Sequence, residues 1–535
     1  MTFRRLLPFS KRPFSKRPLP IGPTASLAVL LACSALLVST GLQAQLNFAA
    51  SEIALGEWPD DILYEDMDGD GRRDLLVPQW SVEAGREVLV YLQQSNGSYL
   101  PEPSRRVEIK PEIIAIAIAD LRAEPGSELL LFASTGVFSL SSAIASYSGN
   151  LKPLFDWELV ASVPDRRRVL FFEDLRDMNG DGYVDLLLPG REGYGVFFGA
   201  ADETFTLQHR FSTVNEELDP SEVPLGGPRI DTSFALNAQE GIVLSVRART
   251  TTTFENFLAE WNDGEQTSLL DTELFLPAAI GVPMNNDAAD DIVFMNIGND
   301  LYGQVNILQQ NADGGFSAKP DWQGSIDTRG NIRLLDLNGD GASDLLRSID
   351  NGSEYDVHFF LNRGGEFNLQ QPDQVMKFSG YDVNLSVTDL LNDGKPQLSV
   401  SYYTIPVVNA VRNASIVRTQ LLYASGSDGQ LFNPRPDFSL EENFSADAVR
   451  GLSSQIHLQT DLDLDGRRDA LYVTNEGTLA AKAIDTTLRF ADAPFWQYVP
   501  TRSILRFAVE DFNDDGRPDV LLNHSTAVTI LVSAP

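Results

Sequence analysis

The apolar residues of this chain come in short runs of strand length, many of them alternating with polar residues, and none keeps a long helical period. In the best-spelled stretch, Asp61-Ile-Leu-Tyr64 leads into a polar loop and Leu75-Leu-Val-Pro78 leaves it. Glu87-Val-Leu-Val-Tyr-Leu92 then alternates, and a turn at Asn96-Gly97 precedes a fourth segment from Tyr99 to Ile109. The later segments recur as Gln304-Val-Asn-Ile-Leu308 before Gly314-Gly-Phe316, and as Val357-His-Phe-Phe-Leu361 before Gly364-Gly-Glu-Phe367. The pattern predicts four antiparallel strands per unit, with a polar loop between the first and second.

That loop carries the chemistry. Five copies of nine residues have an oxygen side chain at positions one, three, five and nine, Gly at six, and an apolar strand afterwards. Their oxygen positions are Asp66, Asp68, Asp70 and Asp74; Asp177, Asn179, Asp181 and Asp185; Asp336, Asn338, Asp340 and Asp344; Asp461, Asp463, Asp465 and Asp469; and Asp511, Asn513, Asp515 and Asp519. A hard cation such as Ca²⁺ takes six to eight oxygens at about 2.3–2.6 Å, and alternate positions on a tight loop can converge on one ion. Glycine at six permits a positive φ where a Cβ would clash. An EF-hand shares the first half of this pattern but needs a bidentate Glu at position twelve. Position twelve here is Val77, Leu188, Arg347, Tyr472 and Leu522, so an EF-hand is excluded. Asp, Asn and Gly also favour plain turns. Like-charged carboxylates a few Å apart, however, must protonate or find a cation, and the repetition of the full set favours about five bound Ca²⁺.

Degenerate copies fill the gaps: Asp120 to Glu128, Pro283 to Asp291 with Asn285, and Asp389 to Gln397. Asp231 holds the expected place with no recognisable loop after it. First positions are spaced by 54, 57, 54, 52, 53, 53, 72 and 50 residues. Nine repeat units are thus counted, and four-stranded units of this length predict an all-β, β-propeller fold of seven to nine antiparallel blades. The loop, the alternating third strand and the Gly-x-Phe turn together resemble the FG-GAP/VCBS repeat of integrin-α-like propellers, over roughly residues 46–535. The namesake motif itself has one near match, Phe198-Gly199-Ala200. The final unit lacks its fourth strand, whereas Leu46 to Leu55 is an orphan strand before the first loop. The N-terminal strand is expected to complete the last blade and close the ring.

Residues 1–44 read as a secretory signal peptide, with six basic residues, no acid, and an apolar stretch from Ala25 to Val38. Residues 45–535 are the propeller. Export is expected, to a periplasmic, cell-surface or extracellular place. A lipid anchor at Cys33 is the weaker reading, because the apolar run continues past it. Cys33 is the single cysteine, so the exported part would lean on packing and metal in place of disulfides. No later segment is long and apolar enough to suggest a transmembrane span. With 41 basic against 75 acidic residues, six of the basic ones in the leader, nucleic acid is excluded as a partner and an anionic membrane surface disfavoured.

No catalytic constellation stands out. The histidines His209, His358, His457 and His524 are scattered among units and read as ordinary strand and turn residues. Trp58, Trp80, Trp157, Trp261, Trp322 and Trp496 are dispersed, as blade packing requires. Longer connections, Val214 to Pro228 and Ile405 to Asn413, are places where binding could reside or simple linkers. The resemblance implies a calcium-bearing binding, adhesion or scaffold module for a protein or glycan. The alternative is a carbohydrate-active enzyme such as a polysaccharide lyase, which would need Arg, Lys or His gathered on one face.

Overall fold

A computed structural model describes residues 46–534 apart from 56–61, 142–146, 148–150, 160–166, 173, 191–192, 214–241, 245–247, 252–271, 276–278, 298–301, 353, 405–414, 428, 446–455 and 475. Every regular element among the described residues is a β-strand. The leader, the place of the ninth unit at Asp231 and both long connections lie outside them.

The strands form eight four-stranded antiparallel blades. Blade 1 consists of Leu63–Glu65, Asp74–Ser81, Gly85–Tyr91 and Arg105–Ile109. Blade 2 runs from Ile113–Ala119 to Lys152–Asp156, blade 3 from Leu175–Arg176 to Phe205–Phe211, and blade 4 from Ala279–Val282 to Trp322–Asp327. Blade 5 runs from Asn331–Leu335 to Gln374–Ser379, blade 6 from Tyr381–Thr388 to Phe438–Ser445, and blade 7 from His457–Thr460 to Trp496–Tyr498. Blade 8 takes Arg506–Glu510, Asp519–Asn523 and Ala527–Ala534 from the end of the chain and its fourth strand, Asn47–Ala54, from the beginning. That strand pairs in continuous register from Asn47 opposite Ala534 to Ala54 opposite Ala527. The expected closure is therefore the observed one.

The core lies between blades. Alternation along each strand turns one set of apolar residues to the preceding blade and the other set to the next. Among the described residues the resulting apolar clusters number eight, one for each seam of a closed ring. The seam of blades 8 and 1 holds Ile53, Phe512, Val528 and Ile530 against Tyr64, Leu75 and Leu89. The seam of blades 3 and 4 packs Leu187, Tyr194 and Val196 directly on Ala279, Ile292 and Phe294. These two blades touch although more than sixty residues separate Phe205–Phe211 from Ala279–Val282. The stretch between them is thus an insertion and not a blade, which reduces nine counted units to eight. Of that insertion, the strand Ile242–Leu244 pairs with the first strand of blade 5, and Ala248–Thr251 pairs with Thr272–Phe275.

Candidate metal centres

The loops named from the sequence join the first and second strands of blades 1, 3, 5, 7 and 8, position nine being the first residue of the second strand, and the degenerate copies hold the same place in blades 2, 4 and 6. Antiparallel topology puts all eight loops on one face of the ring.

Each loop is wound about its own first carboxylate. In blade 1, Asp66 Oδ1 accepts the N–H groups of Gly69 (2.7 Å) and Asp70 (3.1 Å), and Oδ2 accepts that of Gly71 (2.8 Å). Asp177, Asp336, Asp461 and Asp511 take the corresponding bonds from positions five and six. Position six has φ between +80° and +94° in the five full loops. Open space surrounds Gly71, Gly182, Gly466 and Gly516, so backbone shape alone demands glycine there. Position four is left-handed as well, yet blades 7 and 8 place Leu464 and Asp514 there. Glycine at four is needed for closeness: a Cβ on Gly69 would strike Pro125 of the next loop, and one on Gly180 would come within 3.0 Å of the Ala288 carbonyl oxygen.

Position nine has an architectural task. Asp74 is fully buried, and its two oxygens accept the N–H groups of Met67 (3.0 Å) and Gln93 (2.8 Å). Asp185, Asp344 and Asp519 do the same for Met178 and Gly199, Leu337 and Asn362, and Phe512 and Ser533. Asp469 accepts from Leu462. The degenerate loops retain this bond through Glu128, Asp291 and Gln397. Even a neutral amide suffices for it, so position nine is kept in blades that have lost other oxygens.

Positions one, three and nine converge where all three are acids. The carboxylate oxygens of Asp66, Asp68 and Asp74, and of Asp461, Asp463 and Asp469, lie within 4.8 Å of one another, and these two clusters could hold a metal ion. The donor set is hard and all-oxygen, Asp68 Oδ1 is buried with no hydrogen-bond partner, and no ion pair among the described residues reaches Asp66, Asp68 or Asp74. Burial, and then the neighbouring carboxylates Asp70 and Asp66, push the Asp68 carboxyl above its usual range; burial, Asp465 and Asp461 do so for Asp463. Position five stands apart in these two loops. Asp70 and Asp465 accept the N–H of position seven through Oδ1 and pair with Arg72 and Arg467 through Oδ2. Asn179, Asn338 and Asn513 instead donate from Nδ2 to Asp181, Asp340 and Asp515, so blades 3, 5 and 8 bring no third carboxylate to the cluster.

Two features escaped the sequence pattern. Position two is an apolar anchor, with Met67, Met178, Leu337, Leu462 and Phe512 all at most 2% exposed. Its carbonyl also links neighbouring loops: the Phe512 carbonyl accepts Arg73 N–H at 2.8 Å, and that of Met178 accepts Asp290 N–H at 2.7 Å. The amides of Gln93, Gln310 and Asn362, each just past the third strand, reinforce these links by donating to Phe512, Met178 and Met284. The signal was a single polar amide following an apolar strand, too common a pattern to single out.

Burial raises the carboxyls of Asp74, Asp185, Asp344 and Asp469 to about 7 despite the backbone donors that oppose it. In an unfolded chain such groups titrate near 4. The metal-free fold therefore binds protons that the unfolded chain has released, and this stabilisation is complete below about pH 4 and lost as pH rises through about 7. In chelator the protein should melt lower at pH 8 than at pH 5. A chelated melting temperature that climbs over that interval would contradict the assignment.

No family model matches the chain, and no curated protein does. Among solved structures, an Agrocybe aegerita lectin specific for non-reducing terminal N-acetylglucosamine aligns at TM-score 0.39 and 14% identity, over 88% of this chain and 98% of that one. A periplasmic gluconolactonase of Pseudomonas aeruginosa aligns at TM-score 0.29 and 13% identity, over 79% and 95%. No helix among the described residues is long and apolar enough to cross a membrane.

Proposed function

We propose that this chain is an exported, calcium-stabilised propeller of the FG-GAP/VCBS type that serves as a binding module for a protein or glycan partner. The observation that carries the reading is the pair of three-carboxylate clusters in blades 1 and 7, set in loops that recur around one face of a closed ring. Asp66, Asp68 and Asp74, with their counterparts Asp461, Asp463 and Asp469, would hold the ions. Bound Ca²⁺ supplies the positive charge that three close carboxylates lack. The Asn-bearing loops of blades 3, 5 and 8 complete the expected set of about five ions, the amide oxygen taking the place of the third carboxylate.

Affinity in the range of extracellular modules, about 10⁻⁴–10⁻³ M, is sufficient for a structural role. A site filled at a hundredfold over its dissociation constant stabilises the fold by about 2.7 kcal/mol. Chelation should lower the melting temperature, Ca²⁺ should restore it, and Asp68→Ala and Asp463→Ala should each remove part of the response. Melting curves that coincide with and without chelator would overturn the calcium reading.

A further inference from the structure

The seam between blades 4 and 5 changes character along its length. Near the metal-loop face it is apolar, with Leu345 and Phe360 packed on Val305 and Ile307. Toward the opposite face the same strands of blade 5 place Arg347 opposite His358, and Asp356 opposite Lys377. Asp327 ends the fourth strand of blade 4, opposite Tyr302 of the third, and Arg329 comes to this end from the turn that joins the two blades.

The cations here outnumber the carboxylates that pair with them. Arg329 Nε donates to both oxygens of Asp327, at 3.0 and 2.9 Å, and Arg347 Nη1 lies 3.8 Å from Oδ2 of the same carboxylate. Lys377 Nζ is 3.0 Å from Asp356. Three positive charges thus share two carboxylates, in a chain where acids outnumber bases 75 to 41. Arg347, only 9% exposed, gives Nη1 to the Asp327 backbone carbonyl at 3.3 Å and leaves Nε buried without a partner. Holding a guanidinium in such a setting is costly, and a structural role alone would be better filled by an apolar residue.

His358 is set up as a neutral donor. Its Nδ1 lies 3.4 Å from Arg347 Nη2. A guanidinium can only donate, so Nδ1 accepts and the ring proton sits on Nε2, which has no acceptor among the described residues. Burial, and then Arg347, hold this imidazole below its ordinary range. Other groups at this end of the seam are reachable: the Arg329 and Lys377 side chains are 78% and 67% exposed, and Tyr302 is 52% exposed.

We propose that this end of the seam binds the carboxylate of an acidic sugar, with Arg329 and Lys377 as its charged partners, the His358 Nε2–H as a neutral donor, and Tyr302 as the apolar face for the ring. Charge-assisted bonds to a carboxylate supply the strength, and an amphipathic aromatic beside them suits a sugar, which is apolar on its faces and polar at its edge. The proposal rests on the reading of the ring as a glycan-binding module. It places the ligand on the face opposite the metal loops.

The test is titration of the full chain in Ca²⁺, followed through the ¹³C-labelled histidine side chains, with His358→Gln assigning the signal. Trigalacturonate should shift the His358 resonance saturably and neutral maltotriose should not. Arg329→Ala and Lys377→Ala, both at surface positions, should each weaken binding about tenfold, as expected for one charged hydrogen bond. Absence of a saturable shift, or unchanged affinity in both variants, would overturn the site. A response to inorganic sulfate with none to trigalacturonate would overturn the sugar. Melting with and without chelator reports separately on the calcium reading, so the two can fail independently.

Discussion

A chain that begins at residue 56 should lose the cooperative melting of the full ring. The strand Asn47–Ala54 contributes the whole fourth strand of blade 8 and packs on both sides of it. Ile53, 1% exposed, enters the seam with blade 1. Phe48 turns to the other seam and meets Trp496 of blade 7 at 5.0 Å between ring centroids. Ser51 Oγ accepts the N–H of Tyr99, tying the strand to blade 1 as well. Truncation would expose the unpaired edge of Ala527–Ala534, a template for aggregation. The point variant Ile53→Asp should cost at least about 3 kcal/mol, since it removes a buried side chain and buries a charge. Ile53→Val should cost about 1 kcal/mol. Glu52→Ala should change little: its partner Arg502 is exposed, and such pairs contribute about 0–1 kcal/mol. Denaturant melts of the three variants, with limited proteolysis of the truncation, measure the ranking. A truncated chain that melts like the full one would refute closure by this strand.

Asp74→Ala should destabilise the protein by about 3–5 kcal/mol even in chelator, because it leaves the buried N–H groups of Met67 and Gln93 unpaired, at about 1–3 kcal/mol each, and opens a void. Asp74→Asn, which keeps an acceptor, should recover part of the loss, as Gln397 does naturally in blade 6. Asp68→Ala should behave in the opposite sense. Without metal it relieves repulsion with Asp66 and Asp70 and should be neutral or slightly stabilising, whereas in Ca²⁺ it should fall below wild type. Parallel melts in chelator and in Ca²⁺ distinguish the ligand from the architectural acceptor. If Asp68→Ala and Asp74→Ala lose the same stability in chelator, the division of labour between these positions is wrong.

The sequence disclosed what is local. Oxygens at alternate positions, the glycine at six and the strand after nine all lie within a dozen residues, so the loops and the β character of the units were readable. The orphan strand at Leu46 to Leu55 was readable because the last unit lacked its partner. The blade count was not, since the insertion between blades 3 and 4 is about one period long and carries Asp231 at the expected spacing. Only the contact of Tyr194 and Leu187 with Ala279 and Ile292 shows that no blade intervenes. The division of the ligand set was hidden too, because nothing in the loop spacing says that Arg72 and Arg467 pair with Asp70 and Asp465. The cationic end of the blade 4–5 seam was least legible of all. His358 reads as one residue of an alternating strand, its neighbour Arg347 comes from another strand, and Tyr302 at the same end comes from another blade.

The pairing of Asn47–Ala54 with Ala527–Ala534 also orders events in time. The first strand of the ring to leave the ribosome must wait for the last one to be made, so the seam that completes the circle cannot form during synthesis. Contacts between the two ends of a chain are slow to find. Until they meet, the early blades exist as an open arc with bare edges at both ends, and the nascent protein must be kept from pairing those edges with a second copy of itself.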